Sequence, residues 1–316
     1  MSCLNLLQLL KTQEQLATKM SEGLGANYLA QVPTQLQSKM RSQPFSFVDA
    51  LIGIKTPKVR HTKGVIFAQP DGVPLSMEIY RPLQVGQYPG IVVLYGGGWQ
   101  SGSPSNNSEF NRYLAAQGYT VFAIDYRHAP HYQFPAQLDD VQTALAFIQQ
   151  QAVKYETDVT RLALIGRSAG GLLAMLAAYQ QNALPVKAVV SYYGPFNLTQ
   201  AYQELPKPDP LNVRGVLSDF LGGSPEAVPQ QYHLASPASY VTYSLPPTLL
   251  VHGSRDPLVP LYWAEDMHNS LQAAGNISAL LEIPWGKHSF DAVFKGFGNQ
   301  LVLYHTERFL AWAFYD

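Results

Sequence analysis

"RLALIGRSAGGLLAMLAAY", Arg161 to Tyr179, joins one apolar run to another through a glycine-rich turn. The first run, ending at Ile165, reads as a strand buried on both faces, and the second, from Ala169, as a buried Ala- and Leu-rich helix. The turn between them is Gly166-Arg167-Ser168-Ala169-Gly170. A strand-to-helix turn this sharp leaves no room for Cβ atoms on either side of its central residue, so G-x-S-x-G spacing has a mechanical reason. The turn lifts the serine Oγ clear of the sheet and sets its backbone at a helix N-terminus. As a bare pattern the spacing is common by chance. Its position between buried strand and buried helix makes Ser168 a candidate nucleophile.

Outward from this turn the chain keeps the same rhythm. "GVIFAQ" and "PLSMEIYRP" flank Pro70-Asp71-Gly72 and read as an antiparallel hairpin. "GIVVLY", "YTVFAIDYR", "RLALIG", "KAVVSYY", "PTLLVHG" and "SALLEIP" follow as continuous apolar strands. Between them lie helical stretches: "NSEFNRYLAAQG", "AQLDDVQTALAFIQQQAVKY", "AEDMHNSLQAAG" and "NQLVLYHTERFLAWAF". This alternation predicts the α/β class, with an open, doubly wound, mostly parallel eight-stranded sheet. Residues 1–60 and about 195–246 break the rhythm. The expected organisation is therefore a helical N-terminal cap segment (1–60) and a main domain (61–316) carrying an insertion, both candidates to cover the carboxyl edge of the sheet. In "MSCLNLLQLLKTQEQ", Leu4, Leu7 and Leu10 read as the face by which a short helix packs on the body. That stretch lacks the basic start and small-residue cleavage site of a signal peptide.

Composition narrows the function classes. The 316 residues carry a formal net charge of −1, with 47% apolar residues, so nothing suggests a footprint for nucleic acid or an anionic membrane. No run approaches the roughly 20 apolar residues that span a bilayer. Cys3 is the single cysteine, which excludes an internal disulfide and a Cys-based zinc cluster. The expectation is a cytoplasmic chain needing no metal or cofactor, as monomer or homodimer.

A serine nucleophile needs a base, and the base needs an orienting acid. Of eight histidines, His61, His128, His131 and His233 fall in expected loops or turns, His268 and His305 on helices, and His252 at a strand end. His288, in "EIPWGKHSFDAVF", follows the last strand after a short loop at the sheet's carboxyl edge. Asp256, in "PTLLVHGSRDPLVP", also stands just beyond a strand. Ser168, Asp256 and His288 occur in the order used by α/β-hydrolases, each past a different strand. Asp291, only three residues beyond His288, is a poor rival for Asp256. In "YGGGWQSGS" no lysine follows the glycines and the G-x-G-x-x-G spacing is missed, so a phosphate loop is excluded. The backbone N–H groups of Gly97 and Gly98, with that of Ala169, are assigned instead to a transient oxyanion.

With these residues in hand the chain, from about Gly64 onward, resembles the hormone-sensitive-lipase-like branch of α/β-hydrolase carboxylesterases. The resemblance rests on "YGGGW" for the H-G-G-G loop, "IDYRHAPHYQFPAQLDD" for the D-Y-R-L-A-P…F-P…D stretch, and "GRSAGG" for G-D-S-A-G-G. "HGSRDPLVP" and "GKHSF" complete it. It implies a cofactor-free serine esterase acting on short acyl esters, with an N-terminal cap. Two residues depart from the pattern. Tyr95 stands for the usual histidine and is expected to support the loop through its hydroxyl. Arg167 stands for the usual aspartate; it reads as a solvated supporting residue, the alternative being a preference for carboxylate-bearing substrates.

The expected chemistry is attack by Ser168, proton transfer through His288 and orientation of His288 by Asp256. Trp99, Tyr192, Tyr193, Phe196, Leu258 and Phe290 are expected to line the pocket, because they neighbour the catalytic loops. Two other readings stay open: an amidase, formamidase or short-peptide hydrolase with the same triad, and a small-molecule binding protein of the same fold. The second is disfavoured by the presence of His288.

Overall fold

The computed structural model describes residues 3–181, 183–205 and 208–315. Its eight strands are β1 (Arg60–Ala68), β2 (Leu75–Arg81), β3 (Tyr88–Leu94), β4 (Thr120–Ile124), β5 (Thr157–Arg167), β6 (Ala188–Tyr192), β7 (Thr248–Gly253) and β8 (Ser278–Ile283). They form one sheet in the order β1-β2-β4-β3-β5-β6-β7-β8. β1 and β2 pair antiparallel, as do β2 and β4; every later pairing is parallel. The continuous apolar runs of the sequence are these parallel strands, buried on both faces. His61 is the second residue of β1 and not in a loop, its Nε2 2.8 Å from Glu78 Oε2 on the neighbouring strand, and His233 likewise lies not in a loop but in the helix Pro229–Leu234.

The helices are α1 (Cys3–Leu24), α2 (Thr34–Gln37), α3 (Phe47–Ile52), α4 (Ser108–Gln117), α5 (Ala136–Gln150), α6 (Ala169–Tyr179), α7 (Leu198–Glu204), α8 (Val213–Leu221), α9 (Pro229–Leu234), α10 (Leu261–Ala273) and α11 (Phe297–Tyr315). The period-two alternation of the strands divides the core in two. Val92, Leu94, Leu164, Val189 and Leu250 pack with α5, α6 and α10. Their alternating neighbours Ile91, Val93, Ile165, Val190 and Val251 pack with α1, α4 and α11. All eleven residues of α6 are buried, so this helix forms the centre of the first layer.

The N-terminal segment is helical, as expected, but α1 takes a different face inward. Leu7 and Leu10 are exposed, whereas Leu9, Thr12, Leu16 and Met20 are buried; the side chain of Leu4 lies outside the described residues. The Leu-rich run offers two stripes, and the one continued by Leu16 and Met20 over about three turns buries more apolar surface. Gly23 brings α1 onto β8: a Cβ there would lie 2.9 Å from Ala279 Cβ. Residues 41–51 then run along α11. The Arg41 N–H donates to Glu307 Oε1 at 2.8 Å, the Ser46 N–H to Gln300 Oε1 at 2.6 Å, and Lys295 Nζ to the Leu51 carbonyl at 2.9 Å. This segment thus packs on the α11 side of the sheet. The 195–246 stretch, by contrast, folds into α7, α8 and α9 over the carboxyl edge.

On α11, His305 is buried with neither ring nitrogen partnered by the protein. Burial, reinforced by the Arg308 charge, pulls its pKa from 6.5 down to about 3. On acidification the unfolded chain takes this proton first, so His305 lowers stability as pH falls through 6.5 towards 3. The slope is about 1.4 kcal/mol per pH unit for one such group. We expect urea unfolding of a His305→Gln variant to lose stability less steeply between pH 6.5 and 4 than the parent. Equal slopes would show that His305 is not the group responsible.

Candidate active site

The turn between β5 and α6 is as tight as its glycines require. A Cβ on Gly166 would sit 2.0 Å from the Gly170 carbonyl oxygen, and one on Gly170 would sit 2.4 Å from that of Tyr95 and 2.5 Å from that of Leu94. Ser168 at the apex has φ 51° and ψ −121°, a strained backbone for a residue with a side chain. Its N–H donates to the Tyr192 carbonyl at 2.8 Å, which ties the apex to the end of β6.

Ser168 Oγ lies 2.9 Å from His288 Nε2, and His288 Nδ1 lies 2.7 Å from Asp256 Oδ2. A carboxylate only accepts, so Nδ1 carries the proton and Nε2 is left to accept from the serine hydroxyl. The side chain of Asp256 is fully buried. Its Oδ1 accepts from the N–H groups of Leu258 at 2.8 Å and Val259 at 3.0 Å, so both oxygens are held by directed donors. His252 lies beneath, its Nε2 donating to the Val259 carbonyl at 2.7 Å, and burial lowers its pKa below the usual 6.5. It is therefore a neutral neighbour of Asp256.

The glycine loop after β3 lies over Ser168. A Cβ on Gly96 would be 3.1 Å from Ser168 Cβ, and Gly97 and Gly98 take φ values of 138° and 61°. Among the described residues, the N–H groups of Gly97 and Gly98 donate to no protein acceptor. Trp99 bridges the loop to its surroundings: its Nε1 donates to the Ala169 carbonyl at 3.2 Å and its ring stacks on Phe220 of α8 at 4.1 Å.

The segment "DYRHAP" buttresses this loop from below. The Tyr95 hydroxyl donates to Asp125 Oδ1 at 2.5 Å and lies 2.9 Å from His128 Nε2. Tyr126 stacks on Tyr95 at 4.4 Å and donates through its own hydroxyl to the Tyr95 carbonyl at 3.0 Å. The Ala129 N–H donates to the Trp99 carbonyl at 2.9 Å. Burial, with Tyr126 and Asp125 alongside, pushes the Tyr95 hydroxyl far above its usual 10, so it stays a neutral donor. Asp140, the last residue of the motif, accepts from the Arg127 backbone at 2.8 Å and fixes the segment to α5.

A cavity of about 750 Å³ opens above Ser168 and His288. Val213, Val216 and Leu217 of α8, with Leu258 and Trp263, give it an apolar wall; Asn106, Asn107, Ser108 and Glu109 give it a polar one. No described residue of the 1–60 segment lines it, because that segment is packed against α11; its cover is α8. Trp99, Tyr193 and Leu258 line the cavity as expected, but Tyr192, Phe196 and Phe290 do not. Tyr192, still within β6, points into the α11 layer, where its hydroxyl meets Thr306 Oγ1 at 2.7 Å. Tyr193, just past the strand end with φ 40°, turns into the site. Phe196 lines a smaller hollow between α7 and α10. Phe290 stands edge-on behind Tyr193, ring centres 5.9 Å apart.

Arg167 is not solvated. It is 6% exposed, and its Nε donates to Asp291 Oδ2 at 2.6 Å. Burial is the largest influence and opposes its charge, but Asp291 together with Tyr193 and Tyr192 more than offsets it and raises its pKa. Neither this pair nor the α8 wall was read from sequence. The spacing of Val213, Val216, Leu217 and Phe220 in "VRGVLSDFL" is the signal that could have found the wall. Among the described residues no group of three or more His, Cys, Asp or Glu could hold a metal ion, and no helix is long and apolar enough to cross a membrane.

The comparisons with known proteins agree with this architecture. Esterase LipC of Mycobacterium tuberculosis is 31% identical over 253 residues, 73% of this chain and 60% of its own length. LipM of the same organism, a probable carboxylic ester hydrolase, is 30% identical over 221 residues, 65% of this chain and 50% of its own length. The chain thus spans about half to three-fifths of the length of the curated relatives it matches. Among solved structures, esterase LipW from Mycobacterium marinum superposes with a TM-score of 0.69 at 23% identity, covering 98% of this chain and 90% of that one. Est2 of Thermogutta terrifontis gives 0.63 at 24% identity, covering 80% and 89%. These two show the shared fold. The BD-FAE family model matches residues 77–271, more than half of the sequence. The chain is a member of the BD-FAE family and has the α/β-hydrolase fold.

Proposed function

We propose that this chain is a carboxylic ester hydrolase that works through a Ser168–His288–Asp256 triad and an acyl-enzyme. The observation that carries the reading is the unbroken relay from Ser168 Oγ through His288, both lining the cavity, to the buried Asp256. His288 Nε2 takes the Ser168 proton as Oγ attacks the ester carbonyl. Asp256 keeps the imidazole in the required tautomer and stabilises the imidazolium. The carbonyl oxygen, now an anion, accepts from the N–H groups of Gly97, Gly98 and Ala169; the unpaired donors of the glycine loop support this role. His288 then gives its proton to the leaving alcohol. A water deprotonated by His288 attacks the acyl-enzyme, and Ser168 leaves with the proton returned.

The apolar wall on α8 suits an acyl chain, and the volume lies within the range of small-molecule sites. Because α8 rests on the glycine loop through Val216, Asp219 and Phe220, the room for that chain is bounded, which supports a preference for short acyl esters. The relatives described as esterases and carboxylic ester hydrolases support the reaction class.

Hydrolysis of p-nitrophenyl esters from acetate to palmitate, by the parent and by Ser168→Ala, tests this reading. Activity should peak at short chains and fall at least about 10³-fold in the variant; unchanged activity would remove Ser168 as nucleophile. Tyr95→Phe loosens the glycine loop without touching the triad. It should lower kcat by about tenfold, a fraction of one oxyanion donor, while leaving KM nearly unchanged. An unchanged kcat would mean that the Tyr95 hydroxyl does not support the oxyanion site.

A further inference from the structure

The buried ion pair between Arg167 and Asp291 joins the residue before Ser168 to the residue three beyond His288. Side-chain exposures are 7% for Arg167 and 2% for Asp291. The Arg167 guanidinium lies over the rings of Phe110 at 4.2 Å and Tyr192 at 4.7 Å. Its Nη1 has no protein partner and is sealed from solvent. A guanidinium so enclosed is poorly placed to receive a substrate carboxylate, which argues against that alternative for Arg167. The second oxygen of Asp291 is also used: Oδ1 accepts from the Tyr193 hydroxyl at 2.6 Å. Tyr193 closes the circuit, its ring packing edge-on against the His288 imidazole with centres 4.8 Å apart.

We propose that Arg167, Asp291 and Tyr193 form a positioning network that holds the His288 loop in register with Ser168. This rests on Ser168 and His288 being the reacting pair. Two of the members are anchored in the sheet. Arg167 is the last residue of β5. Tyr193 follows β6, its N–H donating to the Val251 carbonyl of β7 at 2.7 Å. Asp291 alone belongs to the loop between β8 and α11. A single carboxylate thus receives one hydrogen bond from the elbow strand and one from the strand beside it, and the loop carrying His288 cannot drift from either without breaking a charge-assisted bond. A buried ion pair is seldom a net source of stability compared with apolar residues of similar volume. What this pair supplies is geometry: the distance between Ser168 Oγ and His288 Nε2.

Three variants test the network, with p-nitrophenyl butyrate kinetics and labelling of Ser168 by a fluorophosphonate as readouts, each corrected for the folded fraction from thermal unfolding. Tyr193→Phe keeps the ring on His288 and removes only the hydroxyl. Asp291→Asn keeps the shape and removes the charge. Arg167→Met with Asp291→Leu replaces the pair by apolar side chains, so the fold can survive while the tie is lost. All three should show kcat and labelling rate reduced by about 10- to 100-fold, with KM within about threefold of the parent. A reduction of less than fivefold in Tyr193→Phe and in the folded double variant would overturn the proposal, showing that the pair serves stability alone. A raised KM with unchanged kcat would also overturn it and make Arg167 a substrate contact. A parent that is neither active nor labelled, or is equally active as Ser168→Ala, would instead remove the triad reading on which the network rests.

Discussion

Backbone meets backbone where β3 ends, β5 ends and α6 begins, and that contact sets the geometry of everything above it. The carbonyls of Leu94 and Tyr95 press on the Cα of Gly170, the Gly170 carbonyl presses on Gly166, and the Arg167 carbonyl lies 2.9 Å from where a Gly96 Cβ would be. At this junction glycine is the one residue that fits, because any Cβ would overlap main-chain atoms that cannot move without breaking the parallel ladder. Its consequence is the strained Ser168, at a cost of roughly 1–3 kcal/mol. Burial of α6, whose residues are enclosed on every side, is large enough to offset that strain. The half-buried serine is thus held up by a helix that has no polar face at all.

The same junction explains why the glycine loop can tolerate Tyr95. The loop's donors lie over Ser168 because Gly96 is pressed onto the elbow, and not because of any one side chain at position 95. The residue there has only to reach the segment after β4, and Tyr95 does so through Asp125 and His128 while Tyr126 returns the bond to its carbonyl. A phenol that burial keeps protonated is a fixed donor across the accessible pH range, which makes the support independent of titration.

Much of the fold was legible because strands buried on both faces leave continuous apolar runs, and glycine turns leave fixed spacings. Ser168, Asp256 and His288 could be brought together from the order and position of three loops, and the structure places His288 within hydrogen-bonding distance of both Ser168 and Asp256. What failed depended on direction in space. Tyr192 and Tyr193 are adjacent in sequence, but a strand end and a positive φ send one into the α11 core and the other into the cavity. Leu7 and Leu10 belong to one helical stripe and Leu9, Leu16 and Met20 to another; only packing on β8 selects between them. Arg167 reads as solvated because arginine usually is, and its partner lies 124 residues away on a loop with no periodicity to advertise it.

That partner also settles the local charge balance. Two aspartates lie close to His288, one hydrogen-bonded to its ring and one three residues along the same loop. Were both left unpaired, the imidazole would face two carboxylates in a medium where charge interactions are poorly screened, and its orientation would be shared between them. Arg167 and the Tyr193 hydroxyl occupy both oxygens of Asp291, whereas among the described residues no arginine or lysine pairs with Asp256. His288 therefore has a single carboxylate to answer to. The arginine in the elbow, by occupying Asp291, leaves Asp256 as the carboxylate hydrogen-bonded to His288.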